Sequence, residues 1–276
     1  MIYLLKKIYK MKKNILFLFS LIFVSTTMAQ VGGLSASKLG TLCTAPVPEG
    51  TIEFEPFFGY ATSTNLFDSN GDLQPLFSTS DSTMRFAGSG FRFSYGLMKN
   101  LEVGVSLPID VSEVNFGAKY KLPFEGNLTI GLLAGYNKVL GNRISVCRDA
   151  ICKATPAYVG GIIMTYEFSD KLSIDFDAQY HKHKKTTVDG HTQGFNVNSD
   201  IGYYLMEKVN FIIGLNYAYQ TYNTNLDDSY LLTLNTGVAI EKAENFILVI
   251  NAPFDLLGKN EYQTTGFGLA LTIILD

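Results

Sequence analysis

From Leu101 to Val111 every odd position is apolar and every even position is polar, small or proline: Leu, Glu, Val, Gly, Val, Ser, Leu, Pro, Ile, Asp, Val. Successive side chains of a strand point to opposite faces, so such a run carries one apolar face and one polar face. Similar alternation returns about a dozen times, in segments of about ten residues, the length a tilted strand needs to cross a bilayer. The chain is therefore expected to be all-β, and its two-faced strands must meet two different environments.

What separates the strands indicates which environments these are. Short links at 97–100, 123–127, 169–171, 206–208 and 242–245 alternate with long polar ones at 62–82, 137–153, 182–193 and 221–228. Short turns on one side and long loops on the other are the pattern of bacterial membrane barrels, whose short turns are periplasmic. The expected fold is a transmembrane antiparallel up-and-down β-barrel of about 12 strands over 51–276, with Val103, Val105, Leu107 and Ile109 toward lipid. Tyr60, Tyr95, Tyr120, Tyr136, Tyr166, Phe168, Tyr180 and Tyr203 fall on outward positions near strand ends, where amphipathic rings suit the headgroup region. In the second strand Met84 and Phe86 are even whereas Phe91, Phe93 and Tyr95 are odd, so a β-bulge is expected at Gly88-Ser89-Gly90.

Residues 1–29 read as an export signal. Lys12 and Lys13 precede an apolar run from Ile15 to Val24, and Thr27, Met28 and Ala29 form a small-residue cleavage site. Met11 begins a signal of ordinary form, which makes residues 1–10 an over-extended start. The segment 30–50 has no period and is rich in Gly, Ser, Thr and Pro. It reads either as a periplasmic lead-in or as a partial plug of the lumen. Of the 22 basic residues five lie in 1–29, which leaves 17 against 25 acidic ones. A surplus of acid argues against a nucleic-acid partner. The expected surroundings are outer-membrane lipid and lipopolysaccharide, with small-molecule solutes in the lumen.

By strand parity the inward faces carry Glu53, Glu55, Glu102, Asp110, Glu167, Asp175, Asp177, Asp200 and Asp255, against Arg92, Lys119 and Lys121. Rings of carboxylates favour cations in a narrow pore, which gives a mildly cation-preferring, porin-like channel as the expected function. The same residues also suit a closed structural or surface-interaction barrel, because small barrels fill their interiors with charge pairs and hydrogen bonds. A lipid-modifying enzyme is the third reading. His181 is inward and Ser199 on the next strand outward, so nucleophile and base would project to opposite sides of the wall. No catalytic residues and no cofactor are expected.

Cys147 and Cys152 lie in one polar loop of an exported chain, where a disulfide staple is expected rather than a metal site. His181, His183 and His191 flank the basic stretch HKHKKTTVDGH. Lys182, Lys184 and Lys185 interleave with them and would repel a cation, so the stretch is expected to be a solvated loop without a metal.

Three stretches, PVPEGTIEFEPFFGY (46–60), FRFSYGLMKNLEVGVSLPI (91–109) and INAPFDLLGKNEYQTTGFGLALTI (250–273), resemble the bacterial outer-membrane barrel family named for the meta-pathway of phenol degradation. The resemblance implies a porin or transporter for small, sometimes aromatic compounds. Its motifs are structural and assign no catalytic residue.

Overall fold

The computed structural model describes residues 31–36, 39–78, 82–124, 126–141, 144–147, 150–153, 155–184, 190–222, 227–243 and 245–275. The export signal expected over 1–29 lies outside them.

In chain order the strands are β1 (Ile52–Phe67), β2 (Leu73–Pro75), β3 (Met84–Met98), β4 (Leu101–Pro108), β5 (Glu113–Lys121), β6 (Leu128–Val139), β7 (Ile144–Cys147) and β8 (Ala150–Lys153). They continue as β9 (Ala157–Ser169), β10 (Leu172–His183), β11 (His191–Met206), β12 (Val209–Tyr222), β13 (Ser229–Ala243), β14 (Phe246–Lys259) and β15 (Glu261–Leu275). Twelve of them form one antiparallel ring: β1, β3 to β6 and β9 to β15, closed where β15 pairs with β1. β2 only caps the far end of β1, and β7 and β8 form a separate hairpin within the loop between β6 and β9.

Several strands outrun their alternating segments. The first, expected to end at Tyr60, continues to Phe67. Past the apolar band of the outer face both strand faces meet polar surroundings, so alternation fades while the ladder hydrogen bonds persist. β4 stops at Pro108 instead of reaching Val111, because Ile109 to Ser112 make the turn into β5 and Val111 takes a φ of 51°.

The expected bulge at Gly88-Ser89-Gly90 is absent: these residues pair in unbroken register with Gly59, Phe58 and Phe57. The change of phase has another cause. Phe86 faces inward near the long-loop end and is buried, its ring 5.8 Å from Tyr262, whereas Phe93 and Tyr95 nearer the short-turn end face outward and are exposed. The wall keeps its register and the inner face becomes aromatic.

The outer face is apolar over the middle of the ring, with Phe58, Phe116, Leu132, Ile162, Ile201, Ile213, Leu215 and Leu269 all exposed. Tyr95, Tyr120, Tyr166, Tyr180 and Tyr203 are exposed near the strand ends, as the alternation requires. Inside the ring lies the segment that precedes β1. Val31, Leu34 and Leu42 pack on Leu133, Val159 and Ile163 from the inner faces of β6 and β9. The segment leaves at the short-turn end, where the Gly50 N–H donates to the Gly96 carbonyl at 2.8 Å and the chain enters β1.

Candidate functional site

Among the described residues, charged side chains are gathered and buried in the interior of the ring. Its most enclosed group is an ion pair. Lys119 on β5 and Glu102 on β4 are directly cross-strand partners, and Lys119 Nζ lies 3.1 Å from Glu102 Oε2 with both side chains fully buried. Five groups from the entering segment complete the pair. Glu102 accepts from the Ser35 N–H and hydroxyl at 2.5 and 2.6 Å and from the Val47 N–H at 2.9 Å. Lys119 donates to the Ser35 hydroxyl and to the Ser35 and Ala45 carbonyls at 2.8 to 3.1 Å.

A second pair lies on β1 and β3. One Arg92 guanidinium nitrogen reaches Glu53 at 2.6 Å and Glu55 at 2.8 Å, and the Thr272 hydroxyl donates to Glu55 at 2.6 Å. A cation held against two carboxylates offsets the cost of enclosing them, which neither acid could bear alone.

The opposite wall is built from amides. Asn198 donates to Asp177 at 2.9 Å, Gln179 donates to the same oxygen at 2.7 Å, Asn216 donates to Asn198 at 2.8 Å and Asn235 to Asn216. This chain of carboxamides crosses β10, β11, β12 and β13. It also holds the segment: the Val31 N–H donates to Gln179 at 2.9 Å, the Leu42 N–H to Asp177 at 2.9 Å and the Thr41 N–H to Asp200 at 3.2 Å. Thr44 adds its N–H to the Thr165 hydroxyl, which itself donates to Asp175 at 2.6 Å. On β14 Asp255 accepts from Thr233 at 2.5 Å and from the Thr264 hydroxyl and N–H at 2.6 and 2.8 Å.

A row of glycines makes room for the segment. Gly104, Gly117 and Gly135 are in register across β4, β5 and β6, and all three face inward. A Cβ on Gly104 would stand 1.7 Å from the Gly33 carbonyl oxygen, and one on Gly117 would stand 2.5 Å from that of Gly32. Backbone lies directly on backbone here, which only glycine permits.

Of the twelve ionisable residues expected to line the lumen, nine are drawn into these contacts: Glu53, Glu55, Arg92, Glu102, Lys119, Asp175, Asp177, Asp200 and Asp255. Lys121, the last residue of β5, is half-buried near the short-turn rim. Two expectations need correction. Asp110 lies in the exposed turn beyond Pro108, where it accepts the Ser112 N–H at 3.1 Å. Glu167 keeps inward parity but lies at the exposed end of β9, where its N–H bonds the Asn127 carbonyl, so it marks the rim and not the interior.

The histidines also depart from expectation. His181 and His183 are strand residues, and His181 is completely buried. Strand alternation sends Lys182 to the outer face, where it is exposed and lies 3.4 Å from Gln193. Ser199 pairs across the strand with Phe176, well removed from His181, whose partner is Gly194. The disulfide expected between Cys147 and Cys152 falls outside the described side chains. The backbone of its hairpin places Cys147 opposite Ala150 and Cys152 opposite Ser145.

Sequence reasoning from charge passed over the residues that complete the site: Gln179, Asn198, Asn216 and Asn235, and the inward glycines. The signal was present in the same alternation. Gln179, Asn198 and Gly104 share the parity of the inward acids Asp177, Asp200 and Glu102 on their own strands, and an amide or a glycine on that parity is as informative as a carboxylate.

Comparison with solved structures shows the fold. The chain superposes on an outer membrane channel from Pseudomonas putida F1 with a TM-score of 0.68 at 11% identity, covering 84% of this chain and 98% of that one. It also superposes on the NanC porin with a TM-score of 0.53 at 6% identity, covering 80% of this chain and 98% of that one. The chain shares the closed barrel fold of these outer-membrane proteins. No protein-family model matches it. No curated protein matches it either.

Proposed function

We propose that this protein is an outer-membrane channel for small solutes whose lumen is closed by its own segment 31–48 in the state described. The observation that carries this reading is how the segment is held. Its backbone N–H groups at Val31, Ser35, Thr41, Leu42, Thr44 and Val47 bond to wall side chains, Lys119 and Ser94 donate to its carbonyls, and the apolar patch beside these polar contacts is small. Water can take over polar contacts of this kind, which contribute about 1 kcal/mol net when neutral and roughly 1.5 to 3 kcal/mol when the acceptor is charged, whereas nothing in water replaces an interlocked apolar core. A twelve-strand wall lies between the filled eight-strand barrel and the open sixteen-strand porin, so removing the segment opens a narrow passage.

Once the segment leaves, Glu102, Asp177 and Asp200 lose the N–H groups that now face them, and interior acids outnumber bases. The open channel therefore prefers cations mildly. The apolar outer face fits lipid, and export through residues 1–29 with lipopolysaccharide around the long-loop end completes the setting. The likeness of 46–60, 91–109 and 250–273 to the phenol meta-pathway barrel family favours small and partly aromatic solutes. A second reading, a permanently closed structural barrel, is favoured by the hydrogen bonding of nearly every interior charge.

Planar-bilayer recording separates the two. A channel gives discrete openings that enlarge when 31–48 is deleted, with a reversal potential on the cation side in a salt gradient. A silent barrel in both forms, with heat-modifiable mobility intact, supports the closed reading.

A further inference from the structure

The three histidines form a cluster that the lumen contacts do not use. His181 and His183 are two residues apart on β10 and so point to the same, inward face. His191 on β11 would point outward by simple alternation from Gly194, which faces inward with His181. One extra residue intervenes: His191 pairs with Tyr222 and Gln193 with Thr221, leaving Thr192 as a bulge. Bulges re-aim side chains, often beside functional sites. Here the result is that the His191 ring lies 4.8 Å from the Tyr222 ring and 5.4 Å from the His183 ring.

The nitrogens of this cluster are left over. Neither nitrogen of the fully buried His181 has a hydrogen-bond partner, and neither His183 Nε2 nor His191 Nδ1 has one. An imidazole carries both a donor and an acceptor when neutral, so enclosing one with both unmet calls for a missing companion such as an ion. His183 is further prepared: its Nδ1 is 3.2 Å from the Thr155 hydroxyl, the outer hydrogen bond that fixes a ligating imidazole and leaves Nε2 free. Lys182, which stands between His181 and His183 in sequence, projects to the other side of the wall and adds no charge to the cluster. Among the described residues no three such side chains stand where they can hold one ion together, so binding requires the rings to turn toward one another. The 5.4 Å between the rings of His183 and His191 is a span that one shared ion can bridge.

We propose that His181, His183 and His191 bind one divalent transition-metal ion, as a three-imidazole set with an open fourth position of the kind zinc accepts. The site lies at the long-loop end of β10 and β11. It does not depend on the channel reading.

The test uses the untagged full chain in detergent, stripped of metal and titrated with Zn2+ by calorimetry, with Co2+ absorption as a second probe. One ion per chain is expected, together with the visible bands of four-coordinate Co2+. Affinity falls more than about 100-fold in His183→Ala and in His191→Ala, since even outer-shell partners cost roughly 10 to 100-fold. Lys182→Ala binds as wild type. Heat-modifiable mobility establishes that each variant is a folded barrel. Absence of Zn2+ uptake by the wild type overturns the proposal, and so does equal uptake by folded His183→Ala and wild type, which would assign the ion to the lumen acids.

Discussion

Lys119 and Glu102 face each other across β4 and β5 at 3.1 Å, both fully buried, and both reach the same Ser35 hydroxyl of a segment 67 residues or more away in sequence. The ion pair therefore fastens the wall and the lumen segment at one point. Lys119→Met leaves a buried carboxylate without its cation, and Glu102→Gln leaves a buried ammonium without its anion. Either change should cost about 3 to 5 kcal/mol, the usual penalty for breaking an enclosed pair. The double variant should cost less than the sum of the single ones, because no orphan charge remains. Thermal unfolding of the three variants in detergent checks this, and additive losses would show that the two side chains do not act as a unit.

The glycine row gives a separate handle on the segment. Gly104→Val places two methyl groups where the Gly33 carbonyl lies, yet the outward face of β4 is untouched. The expected outcome is a barrel of normal heat-modifiable mobility whose segment 31–36 has been expelled. A cysteine introduced as Ser35→Cys should be closed to a water-soluble thiol reagent in the parent and open to it in the Gly104→Val background. Unchanged protection would mean that the wall deforms and the segment stays.

Alternation made the ring legible in the sequence: twelve two-faced segments, their antiparallel succession and the side on which the long loops fall. It made the interior legible only in part. Parity states which way a side chain points but not how high it lies or what it meets, so Glu167 and Asp110 were placed in a lumen whose rim they only approach. Phe86 shows the same limit, because near the mouth an inward position is no longer polar and the change of content looked like a change of register. The segment 31–48 could not be positioned from its own sequence, since its N–H groups bond side chains more than 50 residues away in every wall contact. His191 was hidden by Thr192, a bulge without the glycine or proline that would have announced it.

The turn after β1 offers a pH-dependent handle outside the membrane-spanning strands. The Asp68 carboxylate accepts the N–H groups of Asn70 and Asp72 at 2.8 and 3.0 Å, and the Gln74 side chain at 3.2 Å. Those backbone donors favour the charged form and hold its pKa below the ordinary 3.8. A depressed value means that the turn gains support above pH 3.8 and loses it as pH falls through the lower, folded value. Carboxyl titration by NMR should show Asp68 ionising below the other loop carboxylates, and Asp68→Asn should abolish the acid-induced loosening of amides 70–72. A midpoint at or above 3.8 would contradict the hydrogen bonding.

Neighbouring positions on β12 test the facing of the whole wall. Leu215 is 46% exposed on the outer side near the middle of its strand, whereas Asn216 lies within the chain of amides that lines the inside. Leu215→Arg places a guanidinium toward the hydrocarbon midplane, at a cost of roughly 2 to 4 kcal/mol. Asn216→Arg instead enters an interior whose acids outnumber its bases, where Asp200 lies on the adjoining β11 and Asp177 on β10 beyond it. It breaks two amide hydrogen bonds but meets carboxylates able to receive it. The outer-membrane fraction of cells expressing each variant should contain much less heat-modifiable Leu215→Arg than Asn216→Arg. The same comparison run on a soluble barrel with a water-covered outside would reverse, since Leu215→Arg would then be a surface change worth a few tenths of a kcal/mol at most. Equal recovery of both variants in the membrane would show that the assigned inner and outer faces are wrong.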